Sequence, residues 1–217
     1  MYCPHCATPV SIDTNSCQQC GFNAGHLHRT IGSQWVRLQR VTDAAQCLRL
    51  EDHRKMEIQL NDFERNFPQL FFAVYLGVLP ISLSVSELGF WLLNHGAFET
   101  PSLTRRNDFG LLVVIDPASR HVSLTTGYAL ESLFQHDRVL KMLRAAAKEL
   151  SQGAFAAAIA GICEDCSQVL RKEGRRTIWT PAPVPSTEKL GKLGLEALRG
   201  GHRPAARSAA DAERNPV

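Results

Sequence analysis

Apolar residues along the chain recur with two different periods, and the switches between them divide it into elements. Met56, Leu60, Phe63 and Phe67 keep helical spacing until Pro68 ends the run. Leu70 to Leu79 then reads as a buried strand. Ser86-Glu87 marks a helix start, with Leu88, Trp91, Leu92 and His95 on or near one face and Gly96 as the stop. Leu111 to Ile115 is an unbroken β-rich run, too short for a typical helix. After it, Asp116-Pro117-Ala118-Ser119 carries turn chemistry, and Val122, Leu124 and Thr126 alternate with Ser123 and Thr125. These two strands are expected to form an antiparallel hairpin. Asp137 can cap a helix with the stripe Val139, Leu143, Ala146 and Leu150, ending near Gly153. A last helix carries Phe155, Ile159, Ile162, Cys166 and Val169. The order α-β-α-β-β-α-α predicts an α/β fold, a mixed sheet covered by helices in a three-layer sandwich. The strand–helix–strand crossover makes its first two strands parallel.

Two Cys-x-x-Cys knuckles precede these elements, Cys3-Pro4-His5-Cys6 and Cys17-Gln18-Gln19-Cys20. Two thiolates from each complete the closed tetrahedral shell of structural zinc, and the metal would supply folding free energy that some twenty residues cannot provide. Two disulfides in a secreted domain are the competing use of four cysteines. A closed four-thiolate site has no open position for catalysis, so residues 1–24 read as a small structural or docking zinc ribbon. Residues 25–40 read as a connector. The zinc nitrogens that His5, His26 and His28 offer are spare, and these residues read as ordinary loop positions. From residue 174 the chain turns Pro, Ala and Arg rich, and 174–217 reads as a basic, largely disordered, flexible tail.

Bulk composition narrows the function classes. A chain of 217 residues, 44% of them hydrophobic, can build one ordinary core with small additions. A net charge of +3 is too weak to argue for nucleic acid, which only the basic tail could touch. The most apolar run, Leu70 to Leu83, is shorter than a membrane span and contains Pro80, and no leader is recognisable at the N-terminus. The expectation is a cytoplasmic protein with a protein partner and no membrane span.

The hairpin carries a functional consequence. The start of its first strand lies beside the end of its second, so Asp108 and the Tyr128–Glu131 segment should meet at one rim. Asp116 falls at the other end. Two converging carboxylates can hold calcium or magnesium; two solvated strand-end acids are the alternative.

Several of these segments together resemble one family. Val41-Thr42-Asp43-Ala44-Ala45, Phe71-Phe72-Ala73-Val74-Tyr75, Asn107-Asp108-Phe109-Gly110-Leu111-Leu112-Val113-Val114 and Gly127-Tyr128-Ala129-Leu130-Glu131 look like the TPM domain, the family of thylakoid-lumen phosphatase-like proteins and their bacterial relatives. The likeness covers residues 41–173. Ala129 stands where the family carries a second glycine, and Asp108-Phe109 alters the usual approach to the strand. The resemblance implies an α/β sandwich with an acidic site at a sheet end. By motif the site transfers to Glu131, with Asp108, Asp137 and Asp43 as further candidates. It also implies divalent-cation binding and phosphatase activity in some members.

No independent catalytic motif stands out. There is no Cys-x5-Arg loop, Gly-x-Ser-x-Gly elbow or His-Glu-x-x-His, and Cys163-Glu164-Asp165-Cys166 reads as buried helical cysteine. Two functions remain in view. One is a zinc-ribbon protein whose TPM-like domain binds a divalent cation and acts weakly on phosphomonoesters. The other is a non-catalytic adaptor that docks a protein through the ribbon and the α/β domain.

Overall fold

Runs without a polar face need cover on both sides, and the chain supplies it. In a computed structural model that describes residues 2–11, 14–99 and 107–176, the elements are α1 (Ala24–Thr30), β1 (Val36–Leu38), β2 (Val41–Asp43), α2 (Leu50–Asn66), β3 (Phe71–Leu76), α3 (Val85–His95), β4 (Gly96–Phe98), β5 (Gly110–Asp116), β6 (His121–Thr126), α4 (His136–Ala145), α5 (Ala147–Ser151) and α6 (Phe155–Arg176). Short 3-10 turns at Asn107–Phe109 and Tyr128–Leu130 flank the hairpin. The part of the tail from residue 177 lies outside the described residues.

The main sheet has the order β2-β3-β5-β6. β2, β3 and β5 are parallel, and β6 returns antiparallel beside β5, so the sheet is mixed as expected. Along β3, Phe72, Val74 and Leu76 enter one core while Phe71 and Ala73 enter the other. β5 does the same, with Leu111, Val113 and Ile115 on one side and Leu112 and Val114 on the other. Burial on both faces removes the polar alternation that a half-exposed strand shows.

One core lies under α2, α4 and α6, with Met56, Leu60, Phe63, Met142, Ile159, Ile162 and Cys166. The second lies under α3, with Leu88, Trp91, Leu92 and Leu93, and takes Leu27 of α1. Helices on both faces of one sheet make the three-layer sandwich. Leu27 and the bond from Trp91 Nε1 to the Gly32 carbonyl oxygen, 2.8 Å, tie the connector region to α3. A separate two-stranded parallel pair, β1 with β4, extends this side.

Four local readings change. The buried strand expected over Leu70 to Leu79 ends at Leu76, and Val78 lies exposed in the loop beyond it. α3 begins at Val85, because Ser84, not Ser86, caps it: Ser84 accepts the Glu87 N–H and Glu87 accepts the Ser84 N–H in a reciprocal capping box. Asp137 lies inside the first turn of α4, whose cap is Gln135. The helix expected to run to Gly153 is divided at Ala146 into α4 and α5. Cys163 and Cys166 are buried in α6, as their stripe implied.

Candidate ligand cleft and metal centre

The four ribbon cysteines converge. Their ligand atoms all lie within 4.8 Å of one another, the only such His/Cys/Asp/Glu cluster among the described residues. Cys3 Sγ is 3.7 Å from Cys20 Sγ, and Cys6 Sγ is 3.7 Å from Cys17 Sγ. Sulfurs about 2.3 Å from a tetrahedral ion stand about 3.8 Å apart, so the donor set fits such an ion; disulfide sulfurs would be about 2 Å apart. The backbone repeats itself in the two knuckles. Cys3 N–H donates to Thr8 and Cys17 N–H to Phe22, while Ala7 and Gly21 donate back to Cys3 and Cys17. Both turning residues are left-handed, Gly21 at φ 72° and Ala7 at φ 57°. The Thr8 side chain and backbone draw the Cys6 thiol down to about 6, while against the pull of the Phe22 backbone, burial and the neighbouring thiols push Cys20 up to about 12.

The second feature is a cleft of about 520 Å³ along β6. Asp108, Tyr128 and Glu131 line it from the two 3-10 turns, Ser86 and Asn94 from α3, and Gln135 and His136 from the start of α4. Partial burial raises the Tyr128 phenol, and the charges of Glu131 and then Asp108 raise it further. Asp108 and the Tyr128–Glu131 segment thus line the same cleft, at the end of the hairpin where the chain brings them together.

Backbone contacts hold that rim. Gly127 N–H donates to the Gly110 carbonyl at 2.8 Å, and a Cβ at position 127 would overlap the Asp108 and Asn107 carbonyl oxygens. This is why glycine must open the Gly-Tyr-Ala-Leu-Glu segment. Asn107 Nδ2 donates to the Gly96 carbonyl oxygen at 3.1 Å and fixes the first turn to the end of α3.

The other two candidate acids lie elsewhere. Asp137 is exposed on α4 and does not line the cleft, although its neighbours Gln135 and His136 do. Asp43 pairs in register with Leu76, which pairs with Ile115, so it sits at the opposite end of the sheet with Asp116. That end is roughly 15–20 Å away at about 3.3 Å per strand residue. Asp43 accepts the N–H groups of Cys47 at 3.2 Å and Leu48 at 2.8 Å. Asp116 accepts those of Ala118 at 2.9 Å, Ser119 at 3.3 Å and Leu79 at 3.4 Å. Burial raises the Asp116 carboxyl, but the Ser119 side chain and then these N–H groups outweigh it and hold the group below its usual range.

Sequence reasoning missed Tyr2, His5 and His136 as cleft residues. His5 read as a loop position because its partner, Glu87, is 82 residues away; the two lie 2.8 Å apart.

The TPM domain model matches residues 41–169, and the chain belongs to the TPM domain family. No curated protein matches it. Two of the solved structures similar to it are N-terminal domains. One is the N-terminal domain of a protein from P. gingivalis, at 23% identity over 62% of this chain and 83% of that one, with a TM-score of 0.47. The other is the N-terminal domain of a protein from Corynebacterium glutamicum, at 16% identity over 58% and 76%, with a TM-score of 0.45. No described helix is long and apolar enough to cross a membrane.

Proposed function

We propose that this TPM-domain protein binds calcium or magnesium at the Asp108–Glu131 rim, beneath a ribbon that holds zinc. The observation that carries the reading is that Asp108 and Glu131, 23 residues apart in the chain, line one cleft of about 520 Å³ beside Tyr128. Hard cations take oxygen ligands, and the two carboxylates are the charged ones available there. When bound, such an ion supplies Lewis acidity toward a phosphoryl oxygen.

The chain's own residues favour an anion only through that ion. Among the described residues lining the cleft there is no Lys or Arg, and His5 and His136 are the only ionisable nitrogens. Phosphomonoester hydrolysis is therefore a secondary activity of the reading, weak and strictly cation-dependent. Cys3, Cys6, Cys17 and Cys20 fit zinc in its closed structural form, with no open position for a substrate. Cysteines kept as thiolate ligands suit a reducing compartment, which supports a cytoplasmic location.

Calorimetric titration of calcium and magnesium tests the reading. The wild type should take up about one ion, and Glu131→Gln should lose it. Hydrolysis of p-nitrophenyl phosphate by the wild type should vanish in the same variant and in excess chelator. Failure to take up either cation would favour the adaptor reading. That alternative draws on Val78 and Ile81, which are 65% and 108% exposed on the loop after β3.

A further inference from the structure

Glu87 makes two contacts at once. Oε2 accepts the Ser84 N–H at 2.9 Å and closes the capping box of α3, while Oε1 lies 2.8 Å from His5 Nδ1 in the first knuckle. The residue is 5% exposed. Burial raises its carboxyl, yet the Ser84 N–H and then the His5 ring reverse that and hold it below its ordinary value. A buried carboxylate with a distant partner is costly to leave unpaired, so this contact anchors the knuckle to α3.

Aromatic contacts extend the anchorage. The His5 ring is parallel to Phe22, with centroids 6.2 Å apart and planes at 9°, and Phe22 meets Phe90 of α3 edge-on at 6.3 Å. On the other side, the Tyr2 ring lies 5.1 Å from that of His136, the first residue of α4. α3 packs in one layer of the sandwich and α4 in the other. The knuckle therefore spans both layers beside β6, the edge strand, and Tyr2, Cys3, Pro4, His5 and Ala7 form one side of the cleft.

A knuckle of this length has too little apolar surface to hold its own shape. Its backbone turn is closed by the Cys3–Thr8 and Ala7–Cys3 bonds, its Cys6 thiol lies 3.3 Å from the Thr8 hydroxyl, and across to the second knuckle its thiols meet those of Cys17 and Cys20. We propose that the first knuckle is a metal-ordered wall of the acidic cleft, so that the ion on the four cysteines sets the shape of the cleft and its affinity for a ligand at the Asp108–Glu131 rim. The statement about affinity rests on the cation reading above. The statement about shape does not.

The test uses the full-length, zinc-loaded chain and backbone amide spectra. Removing zinc with a zinc-selective pyridyl chelator should shift or broaden Thr125, Gly127, Tyr128 and His136, and zinc should restore them. Changes confined to residues 2–32 would overturn the proposal. Because metal loss can unfold more than the knuckle, His5→Ala gives a second arm: it cuts the Glu87 anchor and keeps all four cysteines. It should retain one zinc, move the same cleft amides, and weaken calcium binding about three- to tenfold. Unmoved amides with zinc retained would overturn the proposal, as would unchanged calcium affinity. A wild type that takes up no calcium defeats the cation reading alone, and the amide shifts then decide this inference.

Discussion

At the Asp43–Asp116 end of the sheet, five backbone N–H groups point at two carboxylates. At the Asp108–Glu131 end, two acidic residues line a cleft beside Tyr128. Both ends look alike in the sequence, since each places an acid where a strand meets a turn. What separates them is where the loop amides go. Where the loop turns back over the carboxylate, its oxygens serve as structural acceptors for orphan N–H groups. Where Gly127 lets its backbone meet those of Asn107, Asp108 and Gly110, the two turns come together and Asp108 and Glu131 line a common cleft.

The comparison can be broken in several places. The largest effect is expected from Gly127→Ala, whose new Cβ would overlap the Asp108 and Asn107 carbonyls. It should cost about 2–3 kcal/mol in urea denaturation and remove cation uptake, as the two turns part. Asp116→Ala strips three N–H groups of their acceptor and should cost about 2 kcal/mol, leaving cation uptake unchanged. Its pH dependence has a defined sign. The folded carboxyl is held below its ordinary value, so its stabilisation is present above the usual carboxylate range and fades as pH falls through the lowered value. The wild type should lose stability over that acid window more steeply than the variant does. Asp43→Ala removes the acceptor for Cys47 and Leu48 and should cost about 1 kcal/mol, again sparing cation uptake. Loss of uptake in Asp43→Ala would mean that the two ends are not functionally distinct.

The smallest effect belongs to the ribbon, where the two knuckles form a matched pair that differs at one turning residue. Ala7 holds the left-handed conformation that Gly21 adopts freely. Ala7→Gly should stabilise the knuckle by about 1 kcal/mol, read as slower zinc loss to a competing chelator.

Much of this was legible from residues alone, and the failures have physical causes. The hairpin was visible because Leu111 to Ile115 lack polar alternation and Asp116-Pro117 turns the chain. The parallel pairing of β3 with β5 followed from the crossover helix. The meeting of Asp108 with the Tyr128–Glu131 segment followed from hairpin geometry alone. Asp43 was grouped with them only through the family likeness. A three-residue strand has no period to read, and its partner fixes its end of the sheet. Residue type points to Asp137 as a cap, yet the chain enters α4 two residues earlier, at Gln135. The start of α3 was readable: Ser84-Val85-Ser86-Glu87 carries the capping-box spacing, and Ser86 was the wrong serine of the two. The role of His5 was not readable, since no local pattern connects it to Glu87.

The most direct measurement is the melting temperature of the full-length protein with and without millimolar calcium, in the wild type, Glu131→Gln and Asp43→Asn. Ligand binding to the folded state raises its stability by mass action, about 2.7 kcal/mol at a hundredfold excess over Kd. The account predicts a calcium-dependent rise of several degrees in the wild type and in Asp43→Asn, and none in Glu131→Gln. An equal rise in all three, or a rise lost in Asp43→Asn but kept in Glu131→Gln, would contradict it.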